Sequence, residues 1–302
     1  MLENSFKLIF IDYWRSIDKK ILLCFFILFF LGLFFSFSST SSLAGERLNK
    51  EFYFFFTKHL IFTLLAVTIM LVISSFKTEL IVKFVVSLFF LSFVLLSIVP
   101  IIGVEVKGAK RWIDLYFFRL QPIEILKPFF ILMTAKLLTF EKFEHSQVKY
   151  IFSFMLLGSI VILLVNQPDL GQSILLIGSW VGTVFISGVS LIYIFAIFLI
   201  FSILLSTLLF FLPEKFGYII NRLITFFDPD QGDKFQSSNA LDAIKLGGLT
   251  GKGMGEGILK DSVPEAHTDY VIAVISEEYG SIVSIIILII FLYISFRIIK
   301  NC

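Results

Sequence analysis

The chain has 302 residues, of which 58% are hydrophobic, 17% aromatic and only 16% charged, and its mean hydropathy is +0.95. Because a water-soluble domain is about one quarter charged, this composition excludes a soluble globule. The formal net charge of +2 and the absence of a basic run interleaved with aromatic residues give no indication of nucleic-acid binding. Two cysteines and three histidines provide neither a disulfide framework nor a metal-binding spacing.

Eight apolar runs follow one another along the chain, and about 20 helical residues are enough to cross a hydrocarbon layer of roughly 30 Å. The sequence therefore predicts an all-α fold, a polytopic transmembrane bundle of about eight helices in which residues 1–302 form a single membrane domain. A long extracytoplasmic loop, residues 213–268, is predicted between helices seven and eight. The runs cover residues 21–38, 60–76, 80–103, 122–140, 150–165, 171–187, 191–212 and 270–299.

Alternation of the eight runs places the N-terminus, Lys77, the segment 141–149 and the C-terminal end on one side of the membrane. Lysine and arginine divide almost evenly between the two sides, so the positive-inside rule does not decide the orientation. The basic residues before the first run favour a cytoplasmic N-terminus. The segments 105–127 and 213–268 are then expected on the outer face.

The segment between residues 105 and 127 combines a surplus of basic side chains with several aromatic ones. This composition is typical of a chain segment that lies on the membrane surface and attracts anions. An ordinary interfacial loop with snorkelling lysines would have the same composition. Its most informative residues are Lys107, Lys110, Arg111, Trp112, Asp114 and Arg119.

Gln121 and Pro122 indicate the start of a helix, in which Glu124 and Lys127 lie three positions apart and can form an ion pair. A structural pair that closes the helix start is at least as consistent with this spacing as a catalytic one. Further along, Pro168 lies between the fifth and sixth runs and breaks the helix there. The following residue, Asp169, can cap the next helix. Alternatively, its carboxylate could hold a cation or a substrate hydroxyl.

Six glycines lie between residues 247 and 257, with Lys245, Lys252 and Lys260 among and beside them. Exposed backbone amides together with ammonium groups favour a phosphate. A flexible glycine loop is the alternative, since neither the P-loop pattern nor a Rossmann fingerprint is present.

The last apolar run begins just after Asp269. On a helical wheel Asp269, Ala273, Ser276 and Gly280 fall within about 40° of one another, so this small and polar stripe is predicted to face the bundle. Asp269 would then lie at the top of a protein-lined cavity, where partial desolvation makes a carboxylate a better base. The alternative is that Thr268 or Asp269 simply caps the helix.

Two further carboxylates, Glu277 and Glu278, follow about two turns deeper. Glu278 lies opposite Asp269 on the wheel, so either protein encloses this helix on more than one side or Glu278 needs a partner of its own.

Six ordered stretches make the chain resemble the SEDS family of bacterial cell-wall proteins, most closely its cell-division branch. The most specific is PEAHTDYVIAVISEEYG at residues 264–280. The others are GAKRWIDL at 108–115, QPIEILK at 121–127, NQPDLG at 166–171, FFDP at 226–229 and GGLTGKGMGEG at 247–257.

The resemblance implies a glycosyltransferase of the bacterial inner membrane that polymerises lipid II into glycan strands on the outer face during septal cell-wall synthesis. It implies a class B penicillin-binding protein and divisome proteins as partners. Asp269 would be the general base on the GlcNAc 4-hydroxyl, with polyprenyl pyrophosphate as the leaving group. The sequence implies no definite cofactor, and a divalent cation, Mg²⁺ or Mn²⁺, could assist the basic side chains at the pyrophosphate.

The candidate site residues that follow from the motifs and the resemblance form two groups. Those proposed to bind substrate or pyrophosphate are Lys110, Arg111, Trp112, Lys245, Lys252, Lys260, His267 and Thr268. Those proposed to shape the cavity are Gln121, Glu124, Lys127, Asp169, Glu265, Glu277 and Glu278.

The chain departs from the family at several points. Ile123 stands where the family has Ser, and Asn239 where it usually has Gln. The family has ten helices, whereas the eighth run here ends near Cys302, so a fragment or truncated product is expected.

Two other functions stay open from the sequence alone. One is a lipid II flippase, since Glu277, Glu278 and Lys83 within the apolar runs also suit a transport pathway. The other is a non-catalytic divisome scaffold.

Overall fold

The computed structural model describes residues 13–40, 54–106, 108–116, 118–140, 147–211, 217, 235–258 and 270–301. The chain forms two compact units. The first consists of Met1–Phe76 and Asp233–Cys302, so it is built from two separate parts of the chain, and the second is the continuous stretch Lys77–Gly232.

Helices dominate both units. In chain order the elements are α1 (Lys19–Phe35), a π-helical turn (Ser36–Thr40), α2 (Phe54–Ser74), α3 (Thr78–Ile102), β1 (Val104–Val106), β2 (Ala109–Asp114), β3 (Arg119–Leu120), α4 (Pro122–Leu138), α5 (Val148–Asn166), α6 (Leu170–Ile186), α7 (Leu191–Phe211), α8 (Phe235–Gly247), α9 (Val271–Tyr279) and α10 (Ser281–Asn301).

Within the described residues, five helical stretches are long and apolar enough to cross a membrane: Lys19–Ser38, Phe56–Ser74, Thr78–Ile102, Val148–Asn166 and Ser281–Asn301. Helix α6 is a shorter apolar helix, and α7 contains no charged residue in its 21 positions. The prediction of an all-α, polytopic membrane fold is therefore confirmed.

The eighth predicted span is wrong in one respect, because it is not a single helix. Gly280 adopts φ 87° and ψ 163° and separates α9 from α10. The helix start is also shifted, since the N-cap position falls on Tyr270 rather than on Thr268 or Asp269. The run was predicted as one span because apolar residues lie on both sides of the polar stretch 276–281, and hydropathy alone does not show that the helix breaks at Gly280.

Two elements within the polar segments were not predicted. The stretch after α3 forms a small antiparallel sheet in the order β1–β2–β3, with Val104 opposite Trp112 and Ile113 opposite Leu120. Helix α8 lies inside the segment that was expected to be a long loop.

The core of the second unit is a continuous apolar cluster between α3, α4, α5 and α6. Phe89, Leu126, Phe130, Ile160 and Trp180 are each at most 1% exposed. The Trp180 indole N–H donates to Ser153 Oγ at 3.2 Å, so its one polar atom is satisfied inside the core.

Helices α1, α9 and α10 pack together in the first unit around Phe35, Ile275 and Ile287. The Tyr279 ring contacts the rings of Phe34 and Phe35 at 5.8 and 5.2 Å, and its hydroxyl is hydrogen-bonded to Ser38 Oγ. Aromatic contacts of this kind anchor the end of α9 against α1.

The ends of α1 and α10 meet at Asp18. Its carboxylate accepts hydrogen bonds from Arg297 Nε and Asn301 Nδ2, both at 2.7 Å, and from the backbone amides of Lys20 and Ile21. Asp18 therefore caps α1 and ties it to the last turn of α10. Within this unit the start of α1 and the end of α10 therefore lie side by side, and the side of the membrane on which they lie stays a prediction.

Candidate functional site

The second unit brings three of the six motif stretches together at one end of its helices. Arg111, on β2, donates from Nε to the carbonyl oxygen of Gln167 at 3.0 Å and from its terminal nitrogen to the carbonyl oxygen of Pro168. The sheet thus clamps the turn between α5 and α6, because a planar guanidinium can satisfy two carbonyls of one turn at once.

Asp169 is the centre of this cluster and is 7% exposed. One carboxylate oxygen accepts from the backbone amide of Gln172 at 3.4 Å, which confirms the predicted cap of α6. The other oxygen accepts from Gln121 Nε2 at 3.3 Å and lies 3.9 Å from Arg111 Nε. Both oxygens have protein partners, which supports the structural role, and the alternative role of holding a cation or a substrate hydroxyl stays a prediction.

Glu124 and Lys127 form the predicted ion pair, with Lys127 Nζ 2.7 Å from Glu124 Oε2. Gln172 of α6 completes a triangle, since its Oε1 accepts from Lys127 at 2.8 Å and its Nε2 donates to Glu124 Oε1 at 2.7 Å. Sequence reasoning missed Gln172. The only local signal was its position three residues after the cap Asp169. The sequence did not show that α6 packs beside α4, which carries Glu124 and Lys127.

Two other candidates from this motif region lie on β2. Lys110 is exposed, and Trp112 is half-buried opposite Val104. The role of each in binding substrate stays a prediction.

In the first unit, the glycine-rich segment packs on the end of α9. The amides of Lys252 and Gly253 donate to the carbonyl oxygens of Glu277 and Glu278 at 2.9 and 3.0 Å. The amide of Gly251 bonds to Gly247 at 2.9 Å. The expectation that these amides are exposed for a phosphate is therefore wrong.

Two of the six glycines of this segment, Gly247 and Gly251, and also Gly280 at the end of α9, lie at close backbone contacts. A Cβ atom on Gly247, Gly251 or Gly280 would overlap the carbonyl oxygens of Ser276, Glu278 and Leu249, respectively. The segment is consequently a packed structure and not a flexible loop.

Both glutamates of α9 are buried, Glu277 at 0% and Glu278 at 1% exposure. Glu277 Oε1 accepts from the amide of Ile258 at 2.7 Å, so its carboxylate fastens the far end of the glycine-rich segment to α9. All residues from Ala273 to Glu278 are buried, so this part of α9 is enclosed by protein on more than one side, and burial does not single out the predicted stripe.

The remaining candidates of this unit are only partly described. The Lys252 side chain is exposed, and Lys245 is exposed with its Nζ 3.4 Å from Asp242. Lys260, Glu265, His267, Thr268 and Asp269 lie outside the described residues, so their assignments stay predictions. No group of three or more His, Cys, Asp or Glu that could hold a metal ion occurs in the described part of the chain.

The apolar helices and the polar clusters at their ends define a multi-pass membrane protein. The FtsW/RodA/SpoVE family, described as cell cycle proteins, matches residues 18–302. This chain belongs to that family, which confirms the resemblance found in its motifs.

Two relatives are similar to this chain over most of its length. The probable peptidoglycan glycosyltransferase FtsW of Haemophilus influenzae is 32% identical over 291 residues, which cover 94% of this chain and 72% of the relative. The protein of the same name from Caulobacter vibrioides is 30% identical over 273 residues, which cover 90% of this chain and 69% of the relative.

Two solved structures share the fold. A chain of a peptidoglycan synthase complex aligns with a TM-score of 0.72 at 20% identity, covering 94% of this chain and 77% of its own. The rod shape determining protein RodA of Thermus thermophilus aligns with a TM-score of 0.60, also at 20% identity, covering 94% and 74%.

Proposed function

We propose that this protein is a peptidoglycan glycosyltransferase that polymerises lipid II into glycan strands during septal cell-wall synthesis. The observation that carries the proposal is the family match over residues 18–302, together with relatives named probable peptidoglycan glycosyltransferases. The division role rests on those relatives and on the PEAHTD sequence at residues 264–269.

The chemistry requires a base and a site for a departing anion. Asp269, one residue before the N-cap of α9, is proposed to take the proton from the GlcNAc 4-hydroxyl of the acceptor. The bond from the donor sugar to the polyprenyl pyrophosphate then breaks, and cationic side chains stabilise the leaving pyrophosphate. The candidates are Lys110, Arg111, Lys245, Lys252 and Lys260.

Arg111 is the least available of these cations, because its guanidinium already bonds to two backbone carbonyls and lies near Asp169. Lys110, Lys245 and Lys252 have exposed side chains. The proposal therefore assigns charge stabilisation first to the lysines and gives Arg111 the task of holding the turn that carries Asp169.

The inner membrane, with a cytoplasmic N-terminus and the motif residues on the outer face, is the proposed location. A class B penicillin-binding protein that crosslinks the new strands is the proposed partner. The likeness to a chain of a peptidoglycan synthase complex supports this choice through the shared fold.

Purified protein in lipid vesicles, supplied with labelled lipid II and the crosslinking partner, tests the proposal. We expect glycan strands on a gel from the wild-type chain and none from Asp269→Asn, which keeps the size of the side chain but removes the base. Asp114→Asn is the matched control, since Asp114 is exposed, lies 3.6 Å from Arg119, and accepts from the amide of Tyr116, a bond that asparagine can also accept. Polymerisation by Asp269→Asn at the wild-type rate would refute the assignment of the base.

The same vesicles distinguish a flippase. Movement of lipid II across the membrane without polymerisation would favour transport. The structure gives that alternative less support than the sequence did, because Glu277 is bonded to the amide of Ile258 and Lys83 is exposed on α3.

A further inference from the structure

The small sheet of the second unit lies against the ends of its helices. Helix α3, which is long and apolar enough to cross a membrane, ends at Ile102, and β1 begins two residues later. Helix α4 begins at Pro122, two residues after β3. Strand β2 contacts both helices, and its Arg111 reaches the turn between α5 and α6. The sheet is therefore held at the level where the membrane span ends.

Side chains along β2 alternate between two faces. Ala109 and Ile113 are buried, whereas Asp114 is exposed. Because successive residues of a strand point to opposite sides, one face of β2 packs on the helices and the other faces away from them. Beyond Ile113 the chain leaves this contact. The described residues of the turn that follows are all exposed and apolar or aromatic: Leu115, Tyr116 and Phe118.

This turn between β2 and β3 has a fixed conformation. The carboxylate of Asp114 accepts from the amide of Tyr116 at 3.0 Å, and the amide of Leu115 donates to the carbonyl oxygen of Phe118, also at 3.0 Å. Tyr116 has a φ of 70°, a left-handed conformation that bulky residues rarely adopt. Such strain persists only where the surrounding structure determines it, and it occurs most often at functional positions. Burial of the ring does not explain the strain, because Tyr116 is 91% exposed.

Lipid is the surface that the turn meets at this level. Ile101 and Ile102, in the last turn of α3, are exposed too, so α3 presents apolar side chains to its surroundings as far as the sheet. Tyrosine is enriched where lipid headgroups meet acyl chains, since its ring is apolar and its hydroxyl is polar. Asp114 and Arg119, which flank the turn, are both exposed and carry no net charge together. The turn therefore fits the apolar part of the interface, with no requirement for an anionic lipid.

We propose that the turn between β2 and β3 is a membrane anchor, which inserts the side chains of Leu115, Tyr116 and Phe118 among the lipid headgroups. The strained backbone at Tyr116 directs its ring away from the helices. The anchor holds β2 at a constant depth, and with it Arg111 and the turn that Arg111 binds. This role does not depend on the proposed enzymatic function, and its test does not use lipid II.

A tryptophan in the turn reports its surroundings, because bromine atoms on an acyl chain quench indole fluorescence on contact. In a chain with Trp14→Phe, Trp112→Phe and Trp180→Phe, the change Tyr116→Trp leaves a single indole, at the turn. In vesicles of phosphatidylcholine brominated on the acyl carbons nearest the glycerol, we expect its fluorescence to fall severalfold below that in the unbrominated lipid. An unquenched indole would overturn the proposal.

Glu105→Trp in the same chain is the matched control. Glu105 is an exposed residue of β1 and lies opposite Lys110, at the end of β2 remote from the turn. Its indole should be quenched far less. Equal quenching at the two positions would refute a specific anchor. An indole at position 116 that stays unquenched until a class B penicillin-binding protein is added would show that the turn binds protein and not lipid.

A second reporter keeps all three tryptophans and Tyr116. The chain with Cys24→Ala, Cys302→Ser and Leu115→Cys has one thiol, to which a nitrobenzoxadiazole label is attached. We expect blue-shifted emission in phosphatidylcholine vesicles and the emission of a water-exposed label from Glu105→Cys in the same background. Emission typical of water at both positions would overturn the proposal.

The ring of Tyr116 is tested by adding Tyr116→Asn to the chain labelled at position 115. Asparagine adopts the left-handed conformation more readily than tyrosine, so the turn is kept while the ring is lost. We expect the emission to shift towards that of a water-exposed label. Unchanged emission would refute the role assigned to Tyr116.

Discussion

Asp169 illustrates how one buried carboxylate can connect three elements of a unit. It caps α6, accepts from Gln121 and lies beside the guanidinium of Arg111. Removing it would leave the α6 amide and the Gln121 side chain without their acceptor inside the unit. Leaving polar groups unpaired costs more than the net value of the hydrogen bonds themselves.

We expect Asp169→Ala to lower the free energy of unfolding by about 2 to 3 kcal/mol, from the lost cap and the lost charged hydrogen bonds. Thermal denaturation in detergent would measure the change. Asp242→Ala is the control, because Asp242 is exposed and its ion pair with Lys245 contributes at most about 1 kcal/mol. If the two variants were equally stable, the Asp169 cluster would not contribute to stability as described.

The sequence predicted the residues of this cluster better than their connections. The Asp169 cap and the pair of Glu124 and Lys127 follow from spacing within a few residues, and both are confirmed. The bonds from Arg111 to Gln167 and from Gln172 to Glu124 join residues 56 and 48 positions apart. No local rule predicts such contacts, because they depend on which helices become neighbours.

The same distinction applies to the glycine-rich segment and α9. The abundance of glycine was visible in the sequence, but the reason for it was not. Gly251 and Gly280 lie where two stretches of backbone touch, and their φ angles are 81° and 87°. Only a contact between segments about thirty residues apart explains why the eighth apolar run is divided into α9 and α10.

Two glycines of this segment allow a matched test. Gly251 and Gly255 have nearly the same φ, 81° and 79°, but a Cβ would overlap the Glu278 carbonyl at Gly251 and would meet nothing within 4 Å at Gly255. We expect Gly255→Ala to cost about 1 to 2 kcal/mol, the strain of the left-handed conformation. Gly251→Ala should lower the free energy of unfolding more than Gly255→Ala, because its Cβ would in addition overlap the backbone carbonyl of Glu278 in α9.

The measurement is the midpoint of thermal unfolding of both variants in the same detergent. A larger loss is expected from Gly251→Ala. Equal losses would mean that the contact between Gly251 and α9 is not maintained in the protein.

The first unit as a whole is closed by a contact between residues 279 positions apart, the ion pair of Asp18 and Arg297. The pKa of Asp18 is lowered from 3.8 to about 2. The hydrogen bond from Asn301 is the largest cause, and desolvation opposes it by raising the pKa. The hydrogen bonds from Arg297 and from the amides of Ile21 and Lys20 lower the pKa as well. The charged carboxylate is therefore favoured in the folded state.

A lowered pKa gives a stabilising contribution that is fully present above the pKa of the unfolded aspartate and is lost as the pH falls. The loss should take place between the ordinary value of 3.8 and about 2. We expect Asp18→Asn to lower the unfolding temperature near neutral pH and to remove this part of the acid sensitivity. Asp242→Asn, at an exposed residue of the same unit, should keep it.

Unfolding temperatures of the wild type and both variants, measured over that pH interval, provide the test. An unchanged acid response of Asp18→Asn would show that the contact between α1 and α10 is not formed in solution.

The division into a continuous and a discontinuous unit has a consequence for biosynthesis. Residues 77–232 emerge from the ribosome in sequence, so this unit can complete its packing while translation continues. Helices α1 and α2 are inserted first but cannot form their unit until residues after 233 have been made. The contact between Asp18 and Arg297 can form only after Arg297 has been synthesised. The first part of the chain to be made is therefore among the last to reach its native contacts.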